Sequence, residues 1–222
     1  MGSPGPRQAP FGLEVAGSRV NLSSMADRQT GALDSMTGSL VGRALIAMPG
    51  IGDPRFERAV IYICGHTAEH AYGLVLNRPV DGLTTDSLLQ RLGVEGTDDV
   101  LPDPVMYGGP VERERGFVLH TADYLNAESS TLVDGDIAIT GTRDILEAMA
   151  SHNRRPRHAF LALGYSGWGA GQLEQELQQN VWLTCEPDEA LLFGHDYDHK
   201  WSMALQRLGV EAHQLSGDAG RA

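Results

Sequence analysis

The chain has 222 residues, 41% of them hydrophobic, and a formal net charge of −12. That length suits one domain of ordinary size with enough apolar content for a core. An acidic field of this sign opposes non-specific contact with phosphate backbones and anionic membranes, and no apolar run approaches the roughly 20 residues that span a bilayer.

Residues 1–35 are rich in Gly, Pro, Ser and polar groups and show no periodicity, which predicts a disordered tail ahead of one domain over residues 36–222. Met25 and Met36 stand as alternative starts. The tail has no secretory-type apolar segment, so the cytoplasm is the expected location. Leu40–Met48 reads as a buried strand, followed by a turn from Pro49 to Pro54. Arg58–Cys64 and Ala71–Asn77 are apolar runs around a polar stretch, a hairpin signal. Thr85–Leu92 is predicted as a helix with Asp86 in its first turn and Gly93 as its stop.

Val105–Tyr107 and Phe117–Thr121 read as two strands around the turn Gly108-Gly109-Pro110, and Ile137–Thr140 as another. A helix is expected over Arg143–His152, then a strand over Ala159–Leu163, a glycine-rich loop, and a helix from Gln172. The last strand is Val181–Cys185. Short helices follow over Pro187–Phe193 and over Lys200–Leu208, the second with Trp201, Ala204, Leu205 and Leu208 on its apolar face and Asp198 as its cap. The hexamer Gln-Arg-Leu-Gly-Val-Glu occurs at 90–95 and again at 206–211, each copy matching a helix end closed by a left-handed glycine. Early hairpins exclude a wholly parallel sheet, so the fold class is α+β.

Several segments are candidates for chemistry. Gly164-Tyr165-Ser166-Gly167-Trp168-Gly169 lies between strand and helix. It fits a serine elbow poorly, because Trp168 stands where the second glycine belongs, and its spacing matches neither nucleotide-binding glycine motif. A small-ligand or anion cleft using its amides, with Asn77 and Arg78 at the rim, competes with close strand–helix packing in which Trp168 fills the core. Arg154, Arg155, Arg157 and His158 form the only basic cluster, either an anion site or a counterweight to a helix dipole. His195 and His199 have metal-ligand spacing without a third ligand, and Cys64, Gly65 and His66 sit at the hairpin tip with His70. Cys64 and Cys185 read as buried apolar residues. No cofactor or metal is expected.

The blocks Leu40–Pro49, Phe56–Cys64, Gly73–Pro79, Tyr107–Val111, Gly116–His120, Gly164–Trp168 and Gly171–Glu174, in this order, resemble the AlgH/YqgE family over about residues 36–210. Asn77-Arg78-Pro79, Gly108-Gly109-Pro110-Val111 and Gly164-Tyr165-Ser166-Gly167-Trp168 are specific in combination, although the family usually has alanine where this chain has Ser166. The resemblance implies an α+β fold with a branched, mostly antiparallel sheet curled into a partial barrel and helices outside, in a cytoplasmic bacterial protein. It implies no established activity, and one branch takes its name from a proposed role in transcriptional control. The leading expectation is a regulatory or binding protein acting through a small molecule or a protein partner. The alternatives are an enzyme using some of Cys64, His66, His120 and Ser166, with a cleft near residues 164–171, and a direct DNA-binding regulator using Arg154, Arg155 and Arg157, which the net charge disfavours.

Overall fold

The structure, a computed structural model, describes residues 38–95, 100, 102–210 and 215. The predicted disordered tail therefore lies outside the described residues. Among the described residues, ten strands and five α-helices follow one another as β1 (Ala44–Ala47), β2 (Val60–His66), β3 (His70–Val75), β4 (Pro79–Thr84), α1 (Thr85–Arg91), β5 (Pro104–Tyr107), β6 (Val111–Thr121), β7 (Ser130–Asp134), β8 (Ile137–Thr140), α2 (Arg143–Ala150), β9 (Ala159–Gly169), α3 (Gln172–Gln178), β10 (Trp182–Cys185), α4 (Glu189–Phe193) and α5 (Lys200–Arg207). The fold is α+β: an antiparallel-rich sheet in the order β10-β1-β2-β3-β9-β6-β8-β7 curls into a partial barrel with helices outside.

The sheet branches at β9. Its first half pairs antiparallel with β6 and parallel with β5, where Met106 and Tyr107 face Ala162 and Leu163. Its second half pairs with β3, Ser166 through Gly169 facing Gly73 through His70. The glycine-rich segment is thus strand rather than the loop expected between strand and helix. Gly164, at φ 71°, makes the bend, and three backbones cross there. A Cβ on Gly108 would stand 2.2 Å from the Gly164 carbonyl oxygen, and one on Gly164 would stand 2.5 Å from that of Gly109. Only glycine permits that approach.

The runs in β1, β2 and the end of β3 are apolar throughout because both sheet faces are covered there. In β1, Ala44 and Ile46 join a core with Leu74, Met106, Trp201 and Leu205, whereas Leu45 and Ala47 join another with Ile61, Trp168, Leu173 and Trp182. A third core packs α1 and α2 on Val105, Val118 and Leu161. Each fully buried aliphatic side chain contributes about 1.5–3 kcal/mol. Cys64 and Cys185 are buried free thiols, as their apolar surroundings predict.

Both copies of the repeated hexamer end a helix in the same way. Gly93 and Gly209 have φ of 65° and 69°. Val94 N–H donates to Leu89 and Val210 N–H to Leu205, so orphan carbonyls at the helix end are satisfied.

Other expectations need correction. Both strands around Gly108-Gly109-Pro110 are present, but β6 begins at Val111, ahead of the predicted Phe117, and pairs with β8 and β9 while β5 pairs with β4 and β9. Strand β4, which Pro79 opens, goes unpredicted; the first residue of a strand tolerates a missing donor. The polar edge strand β7 lacks an apolar run and goes unpredicted. Helix α2 stops at Ala150, two residues early, and α5 is capped by His199, not Asp198. Leu208 closes α5 in an exposed position rather than on its buried face.

Candidate functional site

The family-like motifs mostly build backbone. Asn77 clips the entry to β2: its side-chain oxygen accepts from Val60 N–H and its amide donates to the Arg58 carbonyl, each at 2.9 Å. Arg58 holds φ of 52°, a costly conformation for a non-glycine residue that this clip helps to fix. Arg78 donates to the Glu57 carbonyl at 2.5 Å. Ser166 is fully buried, its hydroxyl donating to the Gly108 carbonyl at 3.3 Å. Tyr165 packs edge-on to Tyr72 and Phe117. Trp168 is buried against Trp182, and both indole N–H groups donate to one oxygen of Glu176, at 2.9 and 2.7 Å. Gly167 and Gly169 lie exposed at the end of β9.

Cys64, His66, His120 and Ser166 are not brought together; none hydrogen-bonds another. Burial pushes the Cys64 thiol far up, against nucleophilic use. His66 accepts from Leu40 N–H at Nδ1 and so offers its Nε2 proton to Glu174, 2.6 Å away. His120 is fully buried between the Thr121 carbonyl and the Thr140 hydroxyl, and desolvation lowers its pKa. His199 pairs with Asp196 through Nδ1, while His195 faces Asp103 at 3.8 Å. The two imidazoles thus serve different carboxylates.

The space for a ligand lies elsewhere. A cleft of about 610 Å³ opens between the first residue of β9, the 155–158 segment and α4. None of Asn77, Arg78 or residues 164–169 lines it. Ala159 and Phe193 form apolar walls, with Arg155, Arg157, His158 and Glu189 around them. The His158 ring stacks on Phe193, with centroids 5.5 Å apart. Its Nε2 lies 2.8 Å from one Glu189 oxygen, and the Arg157 guanidinium lies 3.3 Å from the other. Glu189 therefore presents one carboxylate to the Arg157 guanidinium and the His158 imidazole from the exposed side of a five-residue helix. Arg155 donates to the Met149 carbonyl, close to where α2 ends. Of the basic cluster expected from sequence, Arg155, Arg157 and His158 converge here, whereas Arg154 lines a separate hollow of about 620 Å³ beside Arg143.

Behind this cleft lies a cavity of about 10 Å³, room for about one water, which shares Asp103, Ala159, Phe193 and His195 with it. Lys200 lines the inner cavity together with Leu76, Met106, Phe160 and Tyr197. It is the only lysine in the chain and is 2% exposed. Its Nζ donates to the Leu192 carbonyl at 3.0 Å and lies 5.4 Å from the centre of the Tyr197 ring. It forms no ion pair with any described residue. Desolvation alone lowers its pKa to about 8. One signal in the sequence points to it: Lys200 stands four residues before Ala204, on the buried face of α5. The other contributors, Asp103, Ala159, Glu189 and Phe193, carry no motif and meet only through the tertiary fold.

Among the described residues no helix is long and apolar enough to cross a membrane. A UPF0301 protein of Caulobacter vibrioides is 58% identical over 183 residues, covering 82% of this chain and 94% of its own length. Another from Bradyrhizobium diazoefficiens is 46% identical over 218 residues, covering 95% and 100%. The solution structure of AlgH from Pseudomonas aeruginosa matches with a TM-score of 0.65 at 39% identity, over 86% of this chain and 100% of that one. A Corynebacterium diphtheriae crystal structure, at 19% identity and a TM-score of 0.61 over 82% and 93%, shares the fold. The DUF179 family model, described as AlgH-like, matches residues 44–213, and with these relatives it shows that the chain belongs to the AlgH-like family.

Proposed function

We propose that this chain is a cytoplasmic binding protein for a small organic acid, held in the cleft between β9, the 155–158 segment and α4. The observation that carries this reading is the position of Glu189. Its carboxylate sits between Arg157 and His158, in the place a ligand's carboxylate would take. Glu189 is more than half exposed and stands on a short helix, so swinging it into water breaks only surface pairs worth less than about 1 kcal/mol. An incoming acid regains the charge-assisted bond to Arg157 and the hydrogen bond to His158, and its apolar part meets Ala159 and Phe193. Two free, buried cysteines suit a reducing compartment.

A thermal-shift screen of small carboxylic acids tests this. A ligand at about 100 times its dissociation constant adds roughly 2.7 kcal/mol, a shift of several degrees for a domain of this size. The same hit should weaken in Arg157→Ala and strengthen in Glu189→Gln, which removes the competing carboxylate. A screen in which no acid shifts the wild type or Glu189→Gln refutes the reading.

A further inference from the structure

The sheet has an open edge that takes no part in the cleft. Among the described residues β7 pairs with β8 alone and ends the order of strands, and none of its residues lines the cleft. Ser130 gives its N–H to the Asn126 carbonyl, not to Thr140 opposite it. Antiparallel ladders alternate, so Thr131 exchanges its bonds with Ile139, and the N–H and carbonyl of Leu132 turn to the open side. Val133 packs on the barrel core, which leaves Leu132 on the outer face, 55% exposed. Leu125, beside the turn that Asn126 and Ser130 close, is 53% exposed. These two are the most exposed large apolar side chains among the described residues. Sheet edges are blunted by lysine, proline or a bulge. Strand β7 has neither lysine nor proline, and its bulge comes only after Leu132.

The charge around this edge has one sign. From Gly116 to Thr142 the chain has no lysine or arginine and four carboxylates, Asp123, Glu128, Asp134 and Asp136. Asp123 is occupied, accepting from the Thr121 hydroxyl and the Arg157 N–H. Glu128, Asp134 and Asp136 are exposed and form no ion pair with any described residue. A second copy of this chain would set these carboxylates against their own equivalents, and like charges across a strand pair are destabilising. An extended cationic segment meets the opposite conditions. We propose that β7 is a docking edge for a segment of a partner protein that adds to the sheet as a further strand. Its backbone takes the outward N–H and carbonyl of Leu132. An apolar residue opposite Leu132 covers the exposed leucines, and a lysine or arginine two residues to either side, on the same face, meets the flanking acids. The proposal stands apart from the acid-binding reading of the cleft.

The test is fluorescence anisotropy of the full-length chain with a labelled, end-blocked nonapeptide: valine at its centre, a lysine two residues to either side, threonine elsewhere. Wild type should bind it, more weakly as salt rises, and should not bind the same peptide with glutamate for lysine. Methylating the valine nitrogen removes the donor to the Leu132 carbonyl and should weaken binding about tenfold. Leu132→Pro removes the outward N–H from a strand edge, where proline is tolerated, and should weaken it to a similar degree. Leu132→Lys keeps the strand whatever proline does to it and sets a cation against the lysine peptide, so binding should again fall. Amide signals of the wild type that shift with peptide should centre on β7. Equal affinity for the methylated and unmethylated peptides overturns the proposal, because the peptide then rests on acidic surface without joining the sheet. Equal affinity in wild type and Leu132→Lys, or no binding to wild type at about 1 mM peptide, overturns it too. A wild-type dimer in sedimentation that Leu132→Lys turns into a monomer would give the edge to a second copy instead.

Discussion

The two ends of β9 obey different rules. At its C-terminal end, Gly164 to Gly169 are committed to the fold: backbones cross at glycines, Ser166 is spent on the Gly108 carbonyl, and Trp168 shares an acceptor with Trp182. At its N-terminal end, Ala159 floors a cleft of about 610 Å³ rimmed by exposed charges that pair with one another across the opening. The recognisable motifs cluster at the first end, and the space for chemistry opens at the second. A motif that is specific for a family can therefore specify how chains cross instead of what they bind.

Substitutions at the crossing should give the largest effects. Gly164→Ala combines positive φ with backbone atoms at 2.5 and 2.8 Å from the new Cβ. It should cost about 4 kcal/mol or more, a large part of a typical total stability. Urea unfolding would show this as a lost or strongly lowered midpoint with the cleft residues untouched. A midpoint within experimental error of wild type would mean that the crossing is looser than these distances state.

Lys200 tests the other end through pH. Its folded-state pKa of about 8 lies below the ordinary 10.5, so between these values the unfolded chain binds more protons. Stability therefore rises with pH across that window, by about 3 kcal/mol in all, and the full cost of burying the cation is present below pH 8. Lys200→Met removes the titration. The variant should match or exceed wild type at pH 7, and its advantage should shrink toward pH 10.5, because tyrosines that titrate there act in both proteins. Parallel stability curves for the two proteins would show that the amine stays solvated in the folded chain.

Much of the fold was legible because it rests on local rules. Buried strands are continuous apolar runs, as in Ala44–Ala47 and Ile137–Thr140, and the two hexamer copies end their helices at glycine as their spacing predicts. The long extent of β9 was not legible, since its last six residues are all glycine, tyrosine, serine or tryptophan and read as a loop. Their strand character comes from partners far away in sequence, Gly73 and His70 in β3. The cleft was legible only in part. Arg155, Arg157 and His158 stood out as a cluster, but Glu189 and Phe193 come from a helix about thirty residues on, and no periodicity links them. Lys200 was visible as the single lysine, yet its burial depends on how α5 packs.

Glu176 sharpens the contrast within the rigid end at a smaller cost. Glu176→Ala leaves two indole donors without their acceptor and should cost roughly 2 kcal/mol. Glu176→Gln can present one carbonyl oxygen at the same place and should cost less than half as much. The pair of variants, compared by urea unfolding and tryptophan fluorescence, distinguishes a shared hydrogen bond from simple side-chain packing. Equal losses in both would assign the effect to charge, not to the shared oxygen.

The smallest effect on stability should come from the open end, and it decides the comparison. Ala190 is exposed on α4, and it lines the cleft. A tryptophan there meets no buried neighbour, so the melting temperature should stay within the change expected for about 0.5 kcal/mol. The same side chain takes up the space that an acid would need between Phe193 and the 155–158 segment, so the thermal shift produced by that acid should vanish. A variant as stable as wild type but blind to ligand would separate binding from folding at one position, which no substitution at Gly164 can do. If Ala190→Trp lost stability as Gly164→Ala does, α4 would belong to the rigid scaffold, and the division of β9 into a structural end and a binding end would fail.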